Sequence, residues 1–460
     1  MKLLVALLAG TALAAAADTR LAGSSRESVR AGWIQVRLAG TPRDIGYQHG
    51  HHLAPEIEDA QRVIKLVLTH DTNKTYEFFR AAARDVYWPR IEAEYRDEIE
   101  GIVEGLASRA VKLDVWDVLV MNLWNELIPY YTGWWDAMNK PSKKTTQGAP
   151  EHCSAFVATG RHTRDGRPVM GHNAWTGYAE GQRWNIVFDI HPRSGHAIFM
   201  DGYPGLIHSG DDFGFNSAGI MITETTISGF AGFDPNGIAE AVRARKAMQY
   251  ASTIDDFVRI MKEGNNGGYA NHWLVADRKT NEIASVELGL KNVTVRRTKD
   301  GYFTGSNYIV SEKLGREETT FATADMSNSA NARRVRWEQV IAEQKGRIDV
   351  ETGKRFLADH YDTFDKKEQP SERTLCGHID LSPRGVKDWQ PPFAPAGAVQ
   401  NKIADARMAE RMSFLALMGH ACGRDFKARQ HLDANKGFDH LRPYLRDLPA
   451  GKWTEFSARR

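Results

Sequence analysis

Cys153 is the residue of this sequence best suited to covalent chemistry, because a thiol is a strong nucleophile once it loses its proton. The chain changes character over residues 131–151, and Cys153 stands just after the polar run 140–150, where an apolar, strand-like run begins. A polar segment of this kind, without apolar periodicity, is typical of an exposed loop at which a chain is cut. A cut before Cys153 frees its α-amine, which can then take the proton of the thiol beside it. The alternative is a small buried apolar residue, as lone cysteines usually are.

Three polar residues that follow Cys153 are candidates to assist it. His172 and Asn173 end the second strand of a hairpin that Cys153 begins, so we expect them to lie beside the thiol and to position it. Asn271 begins a strand after a glycine-rich turn and is the first candidate for a side-chain donor to an oxyanion. The alternative for His172 and Asn173 is a hydrogen-bonded polar pair at a strand end. The alternative for Asn271 is a turn asparagine that bonds its own backbone.

Three further residues are candidates for binding a substrate or supporting the site. Trp175 is predicted to form a pocket wall or part of the core. Asp211 either anchors a hydrogen bond near the site or belongs to a tight turn with Asp212. Adjacent carboxylates point apart on a strand, so this pair is a poor acid–base pair. Thr225, next to Glu224, is predicted to support the site rather than to catalyse.

The histidine and cysteine patterns predict neither a metal site nor a cofactor. The sequence has no His-Glu-x-x-His motif and no paired-cysteine zinc spacing. The histidines of residues 49–52 lie on a glycine-rich turn, and we expect them not to bind metal. Cys376 and Cys422 can form a disulfide in an exported protein, which leaves Cys153 as the odd free thiol.

Length, charge and the first residues narrow the class of protein. A chain of 460 residues fits one large or two ordinary domains, and a net charge of +2 offers no basic surface for nucleic acid. Residues 1–17 have a basic start, a short apolar core and an Ala-x-Ala exit, which predicts a signal peptide and a secreted or periplasmic protein. The alternative is a buried N-terminal helix. No later run reaches the ~20 apolar residues of a bilayer span, so we expect no stable membrane insertion.

Apolar periodicity divides the chain into a helical part and a strand-rich part. Residues 18–152 are predicted to form a helical N-terminal segment that opens with a strand-like run at 32–36. Gly46 and Gly50 within it indicate tight packing against another element. Residues 153–460 are predicted to form a layered α+β catalytic domain with a wrapping C-terminal tail. Its predicted strands are 155–159, 169–173, 184–190, 197–200, 220–226, 273–277, 283–288, 293–297 and 302–304. Its predicted helices are 237–250, 253–262, 332–343 and 404–417.

The motifs around Cys153 resemble those of the phospholipase B-like proteins over roughly residues 33 to 455. The similar motifs are Cys153-Ser154-Ala155, Gly171-His172-Asn173-Ala174-Trp175, Tyr203-Pro204-Gly205, Ser209–Phe213, Glu224–Ile227 and Pro443–Pro449. Gly46-Tyr47-Gln48-His49-Gly50 also resembles the wider acyl-coenzyme A:6-aminopenicillanate acyltransferase group, the C45 peptidases. The resemblance implies an N-terminal nucleophile hydrolase fold, an αββα sandwich, with self-cleavage before the cysteine. It also implies a late site arginine, for which Arg333, Arg334 and Arg336 are candidates, with Arg333 the substrate-binding candidate. The alternative for these three residues is a solvated basic face of a helix.

The predicted function is hydrolysis of an acyl amide or ester bond through a thioester acyl-enzyme, with the two processed chains remaining associated. The expected substrate is a small-molecule or lipid acyl compound. Three alternatives remain open: a phospholipase B-like lipid acyl-ester hydrolase, an acyltransferase of the same fold, and a non-catalytic binding protein. The absence of an evident amphipathic membrane helix or lid from the sequence favours the amide.

Overall fold

The computed structural model describes residues 18–139, 153–387 and 389–459. The predicted signal peptide, the predicted cleavage loop at 140–150 and the residues up to His152 lie outside the described residues. The α-helices are α1 Pro42–His52, α2 Ala54–Thr72, α3 Tyr76–Ala82, α4 Ala93–Ala107, α5 Val115–Glu126, α6 Thr132–Asn139, α7 Tyr178–Gly181, α8 Glu240–Tyr250, α9 Ile254–Lys262, α10 Glu312–Glu318, α11 Ser329–Glu343, α12 Val350–Leu357, α13 Ala406–Glu410 and α14 Ala428–Ala434.

The strands extend on both sides of Cys153. They are β1 Ser25–Arg26, β2 Ile34–Gly40, β3 Ser154–Gly160, β4 Gly166–Gly177, β5 Ile186–Pro192, β6 Ile198–Gly202, β7 Gly214–Asn216, β8 Ile220–Thr226, β9 Asn271–Asp277, β10 Glu282–Leu288, β11 Val293–Thr298, β12 Gly301–Gly305, β13 Tyr361–Asp362, β14 Lys367–Glu368, β15 Ala396–Asp405, β16 Ser413–Met418 and β17 Thr454–Ser457. Within the described residues, one sheet has nine strands in the order β1-β2-β5-β6-β7-β8-β9-β10-β11, and another has six in the order β12-β3-β4-β15-β16-β17.

The two large sheets pack face to face between two layers of helices. Val157 and Met170 of the six-stranded sheet share one apolar core with Phe199 and Leu274 of the nine-stranded sheet. The other face of the nine-stranded sheet packs against α1, α2, α4, α5, α8 and α9. The other face of the six-stranded sheet, through Phe156, packs against α11 and α12. Because each sheet is covered by the other sheet and by helices, the predicted α+β class and αββα sandwich are confirmed.

The glycines predicted to allow tight packing lie where α1 crosses α4. A Cβ atom on Gly50 would lie 2.0 Å from the carbonyl oxygen of Ile102, and one on Gly105 would lie 2.1 Å from that of Tyr47. Real Cβ atoms do not approach backbone so closely, so the two helix backbones touch only because these residues lack side chains. The prediction drawn from Gly46 and Gly50 is therefore confirmed.

We expect Gly105→Ala to lower the free energy of unfolding by about 2–3 kcal/mol, because the added methyl group forces α1 and α4 apart. Gly437→Ala is the matched control, since a Cβ there meets nothing within 4 Å. Denaturant unfolding curves of the two variants measure the difference. Equal effects of the two substitutions would contradict the packing argument.

Three predictions differ from the structure. The helix predicted over 404–417 is instead the end of β15, the short helix α13 and the strand β16. Pairing of β16 with β15 and β17 overrides the helix propensity of the second half of this Ala-, Leu- and Met-rich run. The helical N-terminal segment is also part of the sheet structure: the strand-like run predicted at 32–36 overlaps β2, which joins the nine-stranded sheet together with β1 and runs parallel to β5.

The third difference concerns the cysteines. The Cys376–Cys422 disulfide is not formed, and all three cysteines are free. Each of these two sulfurs instead faces the Nε2 atom of His378, at 3.5 Å and 3.6 Å respectively.

Among the described residues, no helix combines the length and the apolarity needed to cross a bilayer. The division of the chain at residue 152 into two functional units stays a prediction.

Candidate active site

Cys153 lies immediately before β3, on the six-stranded sheet, with a left-handed φ of 76° and only 2% of its surface exposed. Strand β3 pairs antiparallel with β4, with Ala155 opposite His172 and Ser154 opposite Asn173. The hairpin predicted from the sequence therefore forms, and it brings His172 to the cysteine.

A carboxylate from the other sheet completes a group of three reactive side chains. The Cys153 sulfur, a ring nitrogen of His172 and a carboxylate oxygen of Glu224 lie within 4.8 Å of one another. All three residues are buried, and Glu224 belongs to β8. The site thus lies between the two sheets, where each contributes one side of the group.

Burial keeps this group in its neutral protonation states. Burial raises the pKa of the Cys153 thiol well above its usual range, and the neighbouring Glu224 raises it further. Burial lowers the pKa of His172 well below its usual range, and Lys402 lowers it further. Burial also raises the pKa of Glu224, with Asp212 adding to the effect. Cys153 is therefore held as a thiol, which must lose its proton to a base before it can attack.

Arg333, in α11, fixes the start of β3 from the helical layer. Its Nη1 donates to the carbonyl oxygen of Cys153 at 2.5 Å and to Ser154 Oγ at 3.0 Å, and its Nη2 donates to Asn307 Oδ1 at 2.9 Å. The guanidinium carbon also lies 4.2 Å from the centre of the Trp175 ring, where a cation and an aromatic face attract. The structure therefore brings Trp175 and Arg333 together beside Cys153.

The structure also separates the three candidate arginines. Arg333 is fully buried at the site. Arg334 instead pairs with Glu338 at 2.7 Å, and Arg336 pairs with Asp359 at 2.7 Å. Only Arg333 of the three contacts Cys153.

Asn271 reaches the site through Glu224. With its amide oriented to satisfy its neighbours, its nitrogen donates to Glu224 Oε2 at 2.9 Å and to the carbonyl oxygen of Ala270 at 3.1 Å. Tyr269 donates to the other oxygen of Glu224 at 3.5 Å. Asn271 is thus part of the polar cluster and not a turn residue bonded only to itself.

Asn173 does not lie in the reactive group. Its amide nitrogen donates to the carbonyl oxygens of Leu357 and Leu375, at 2.8 Å and 2.9 Å. Both amide protons are therefore used to hold the end of α12 and the loop at Leu375, and Asn173 positions the outer layer instead of the thiol. Thr225 packs against β12, since a Cβ on Gly305 would lie 2.5 Å from its Oγ1.

Asp211 belongs to a buried ion-pair network that the sequence did not reveal. The Nζ of Lys402 lies 2.6 Å from Asp211 and 2.9 Å from Asp201, and all three side chains are almost completely buried. Gln400 donates to both carboxylates, at 2.5 Å and 3.0 Å, and Ser209 donates to Asp201 at 2.7 Å. Asp211 is therefore an anchor between β15 and the loop before β7, not a substrate ligand. No strand was predicted at Lys402, so nothing in the sequence placed its charge.

Tyr130 lines a pocket of about 200 Å³. Its walls include the aromatic rings of Tyr130, Trp134, Phe230 and Phe233. The hydroxyl of Tyr130 accepts from the backbone N–H of Ala270, the residue before Asn271, at 3.1 Å. The pocket is therefore largely aromatic, and Tyr130 links one of its walls to the segment that carries Asn271.

His49 ties together two of the motifs that surround the site. Its Nε2 accepts the backbone N–H of Gly205 at 2.9 Å, and its side chain is almost fully buried. Burial lowers the pKa of His49 from 6.5 to about 3. The hydrogen bond from the backbone N–H of Gly205 gives His49 a structural role in the motif that requires no metal.

We expect acid to destabilise the protein through His49. Its folded-state pKa is lowered, so the stability it contributes is complete above pH 6.5 and is lost as pH falls toward about 3. Between pH 7 and pH 5 the loss amounts to about 2 kcal/mol. His49→Gln keeps an acceptor but cannot titrate, so its unfolding free energy falls less over that range. His70→Gln, at a half-exposed histidine, is the control, and equal slopes for all three proteins would refute the assignment.

The family model of Phospholipase B matches residues 52–307, which is more than half of the chain. The chain therefore belongs to the Phospholipase B family. Its relatives include putative phospholipase B-like 2 of Rattus norvegicus, with 29% identity over 62% of this chain and 55% of that protein. Phospholipase B-like 1 of Bos taurus is 21% identical over 85% of this chain and 75% of its own. An uncharacterized protein of Archaeoglobus fulgidus is 26% identical over 55% of this chain and 42% of its own, so this chain spans about half the length of several relatives.

Two solved structures are similar at low identity. Penicillin V acylase from Agrobacterium tumefaciens aligns over 58% of this chain and 83% of its own, with 12% identity and a TM-score of 0.35. Conjugated bile acid hydrolase from Clostridium perfringens aligns over 57% of this chain and 89% of its own, with 13% identity and a TM-score of 0.33.

Proposed function

We propose that this protein is a self-processing cysteine hydrolase that cleaves an acyl amide bond, with Cys153 as the nucleophile. The observation that carries the proposal is the convergence of buried polar groups on Cys153 at the start of β3. His172 and Glu224 lie beside its sulfur, and Arg333 holds its carbonyl oxygen. Packing around an apolar core residue does not require polar neighbours, and burying each of these polar groups costs free energy.

Processing begins with the intact chain. The Cys153 sulfur attacks the carbonyl carbon of His152, the thiol proton passes to the peptide nitrogen, and that nitrogen leaves as the α-amine of Cys153. The resulting thioester is opened by water, which releases the His152 carboxylate and restores the thiol. His152 itself lies outside the described residues. Arg333 supports this step, because its bond to the carbonyl oxygen of Cys153 fixes the backbone on the other side of the reacting nitrogen.

The released α-amine is then the base for turnover. Its reference pKa of ~7.7–8.0 leaves a useful neutral fraction near neutral pH. It takes the proton of the thiol as the sulfur attacks the substrate carbonyl, and it passes that proton to the leaving amine. Water then hydrolyses the thioester and frees the acid. His172 is the less suitable base, because burial lowers its pKa well below the usual range.

Asn271 is the proposed side-chain donor to the oxyanion. Its amide already lies in the cluster through its 2.9 Å bond to Glu224. Donation to a substrate oxygen requires that this contact be exchanged for one to the oxyanion. A donor of this kind contributes about 3–4 kcal/mol to transition-state stabilisation.

The aromatic pocket lined by Tyr130 and Phe230 supports an apolar acyl group. The same pocket favours a second candidate function, hydrolysis of an apolar acyl ester such as that of a lipid. An apolar pocket selects the acyl group and does not distinguish an amide bond from an ester bond. The thioester mechanism is identical for both bonds. A pair of substrates with one acyl group and either an amide or an ester leaving group therefore separates the two functions.

Intact mass and N-terminal sequencing of the exported protein test the proposal. We expect two associated chains, one from Asp18 to His152 and one that begins at Cys153, and hydrolysis of the acyl amide. A single chain that retains Asp18–Arg460 and hydrolyses the substrate would remove the α-amine from the mechanism. A single chain without activity would favour the non-catalytic binding protein.

A further inference from the structure

A second group of cysteine and histidine side chains gathers at the C-terminal part of the fold. The sulfurs of Cys376 and Cys422 and a ring nitrogen of each of His360 and His378 lie within 4.8 Å of one another. The four residues come from three separate chain segments. Their sequence spacing matches no short zinc motif, which is why the sequence predicted no metal there.

The Nε2 atom of His378 lies at the centre of this group. It is 3.5 Å from Cys376 Sγ, 3.6 Å from Cys422 Sγ and 3.1 Å from His360 Nε2. A ring nitrogen offers one proton or one lone pair, so it cannot form hydrogen bonds with all three neighbours. In a tetrahedral zinc site with Zn–S near ~2.3 Å and Zn–N near ~2.1 Å, N···N and N···S pairs lie about 3.3–3.6 Å apart. The separations at His378 are close to those of ligands that share one ion.

The other nitrogen of His378 faces a carboxylate, as in many metal sites. Its Nδ1 lies 3.7 Å from Asp380 Oδ1, and the hydroxyl of Tyr178 donates to the same oxygen at 2.9 Å. Such a carboxylate orients the imidazole and directs its Nε2 toward the metal. His420 lies nearby but is engaged elsewhere, with Tyr178 at 2.9 Å and with the carbonyl oxygen of Arg424 at 3.0 Å.

The backbone holds the central ligands in place. The N–H of Cys376 donates to the carbonyl oxygen of Asp359 at 3.0 Å, and the N–H of His378 donates to that of Ser371 at 3.1 Å. Cys376 and His378 are fully buried. The other two ligands, at positions 360 and 422, are half-buried, so an ion has access to the group from their side.

We propose that His360, Cys376, His378 and Cys422 bind one structural zinc ion. Two sulfur and two nitrogen ligands in a tetrahedral group select zinc, and four protein ligands leave no open position for catalysis. The ion joins the 359–380 segment to the loop after β16.

The zinc site also adjoins a wall of the active site. Gly377, between two of the ligands, packs against Trp175, since a Cβ there would lie 2.1 Å from the ring. Trp175 in turn supports Arg333. Loss of the ion therefore loosens the wall beside Cys153 without removing a reacting group.

Elemental analysis of the full-length protein, purified without chelators and supplied with ZnCl2, tests the proposal directly. We expect about one zinc ion per chain, removal by a chelator with a fall in the melting temperature, and recovery of both after zinc is returned. Replacement by Co²⁺ is expected to give the thiolate-to-cobalt absorption bands of a tetrahedral site. Wild-type protein that binds no zinc and no cobalt, or a mapped Cys376–Cys422 disulfide in the protein as isolated, would overturn the proposal.

Two variants locate the ion. Cys422→Ser, at a half-buried ligand, is expected to lose the zinc and the cobalt bands. Cys153→Ser is the matched control, because Cys153, His172 and Glu224 form a separate group within the described residues that is close enough to hold a metal. The third such group, His378, Asp380 and His420, shares His378 with the proposed site. Loss of zinc in Cys153→Ser with retention in Cys422→Ser would refute the assignment. If Cys422→Ser does not fold, His360→Gln takes its place, and the cobalt spectrum of the wild-type protein decides by itself whether thiolates bind the metal.

Discussion

Cys153→Ala is expected to leave the chain uncut and to lower the rate of acyl hydrolysis by at least about 10⁴-fold. Alanine has no atom that can form the thioester, and the loss of a covalent nucleophile removes most of the catalysis that depends on it. Intact mass reports the cleavage, and kcat/KM for a chromogenic acyl amide reports the turnover. A denaturant unfolding curve of the same variant shows whether the fold is retained.

Two results would contradict this expectation. Cleavage of Cys153→Ala at the same bond would show that another protease cuts the chain. Hydrolysis near the wild-type rate would show that the thiol is not the nucleophile.

The pH profile of kcat/KM then identifies the base. If the α-amine of Cys153 takes the proton, the rate falls as pH drops below the ~7.7–8.0 pKa of that amine, because the protonated amine cannot act as a base. His172→Gln is expected to lower the rate about tenfold and to keep this acid limb, since His172 positions the thiol without taking its proton. A loss of about 10³-fold or more, with the acid limb removed, would make His172 the base.

Lys402→Met is expected to lower the free energy of unfolding by about 3–5 kcal/mol. The substitution leaves the carboxylates of Asp201 and Asp211 buried without the cation that lies 2.9 Å and 2.6 Å from them. Burial already raises the pKa of Asp211, with Asp201 adding to the effect, so removal of the lysine drives a carboxylate to take up a proton. Denaturant unfolding in the Cys153→Ala background measures the change on a single chain.

A matched substitution and a compensating one complete this test. Lys427→Met removes a half-exposed lysine that pairs with Asp425 and Asp447, and it is expected to change stability little, because solvent screens such pairs. Adding Asp201→Asn and Asp211→Asn to Lys402→Met is expected to recover much of the loss, since no buried charge remains unpaired. Equal effects of Lys402→Met and Lys427→Met would show that the buried network does not stabilise the fold.

Local patterns determined much of the architecture. Short apolar runs separated by Gly-, Pro- and Asp-containing turns predicted most of the strands from β3 to β12, because period and turn chemistry are properties of neighbouring residues. The hairpin that begins at Cys153 followed from the same local signal, and it brought His172 to the thiol as expected. Gly46 and Gly50 predicted a close contact, although the sequence could not name α4 as the partner.

Long-range pairing determined the rest. The run at 404–417 has residues that suit a helix, but pairing with β15 and β17 makes its second half the strand β16. The choice of Arg333 over Arg334 depends on which side of α11 faces Cys153, and adjacent residues of one type give no sign of that. Asn173 was expected beside the thiol, but strand alternation turns it to the opposite face, where it holds the end of α12 and the loop at Leu375.

The sequence by itself determined that this protein has a layered α+β fold, a cysteine at a strand start after a polar segment, and polar residues at the ends of the following strands. Only the tertiary structure decided which of those residues meet. Glu224 joins Cys153 from the other sheet, and Lys402 pairs with Asp201 of β6 and with Asp211 of the loop before β7. His360 reaches Cys376 and Cys422 across the C-terminal part. The reason is physical: side-chain chemistry acts over a few ångströms, and folding brings together residues that are far apart along the chain.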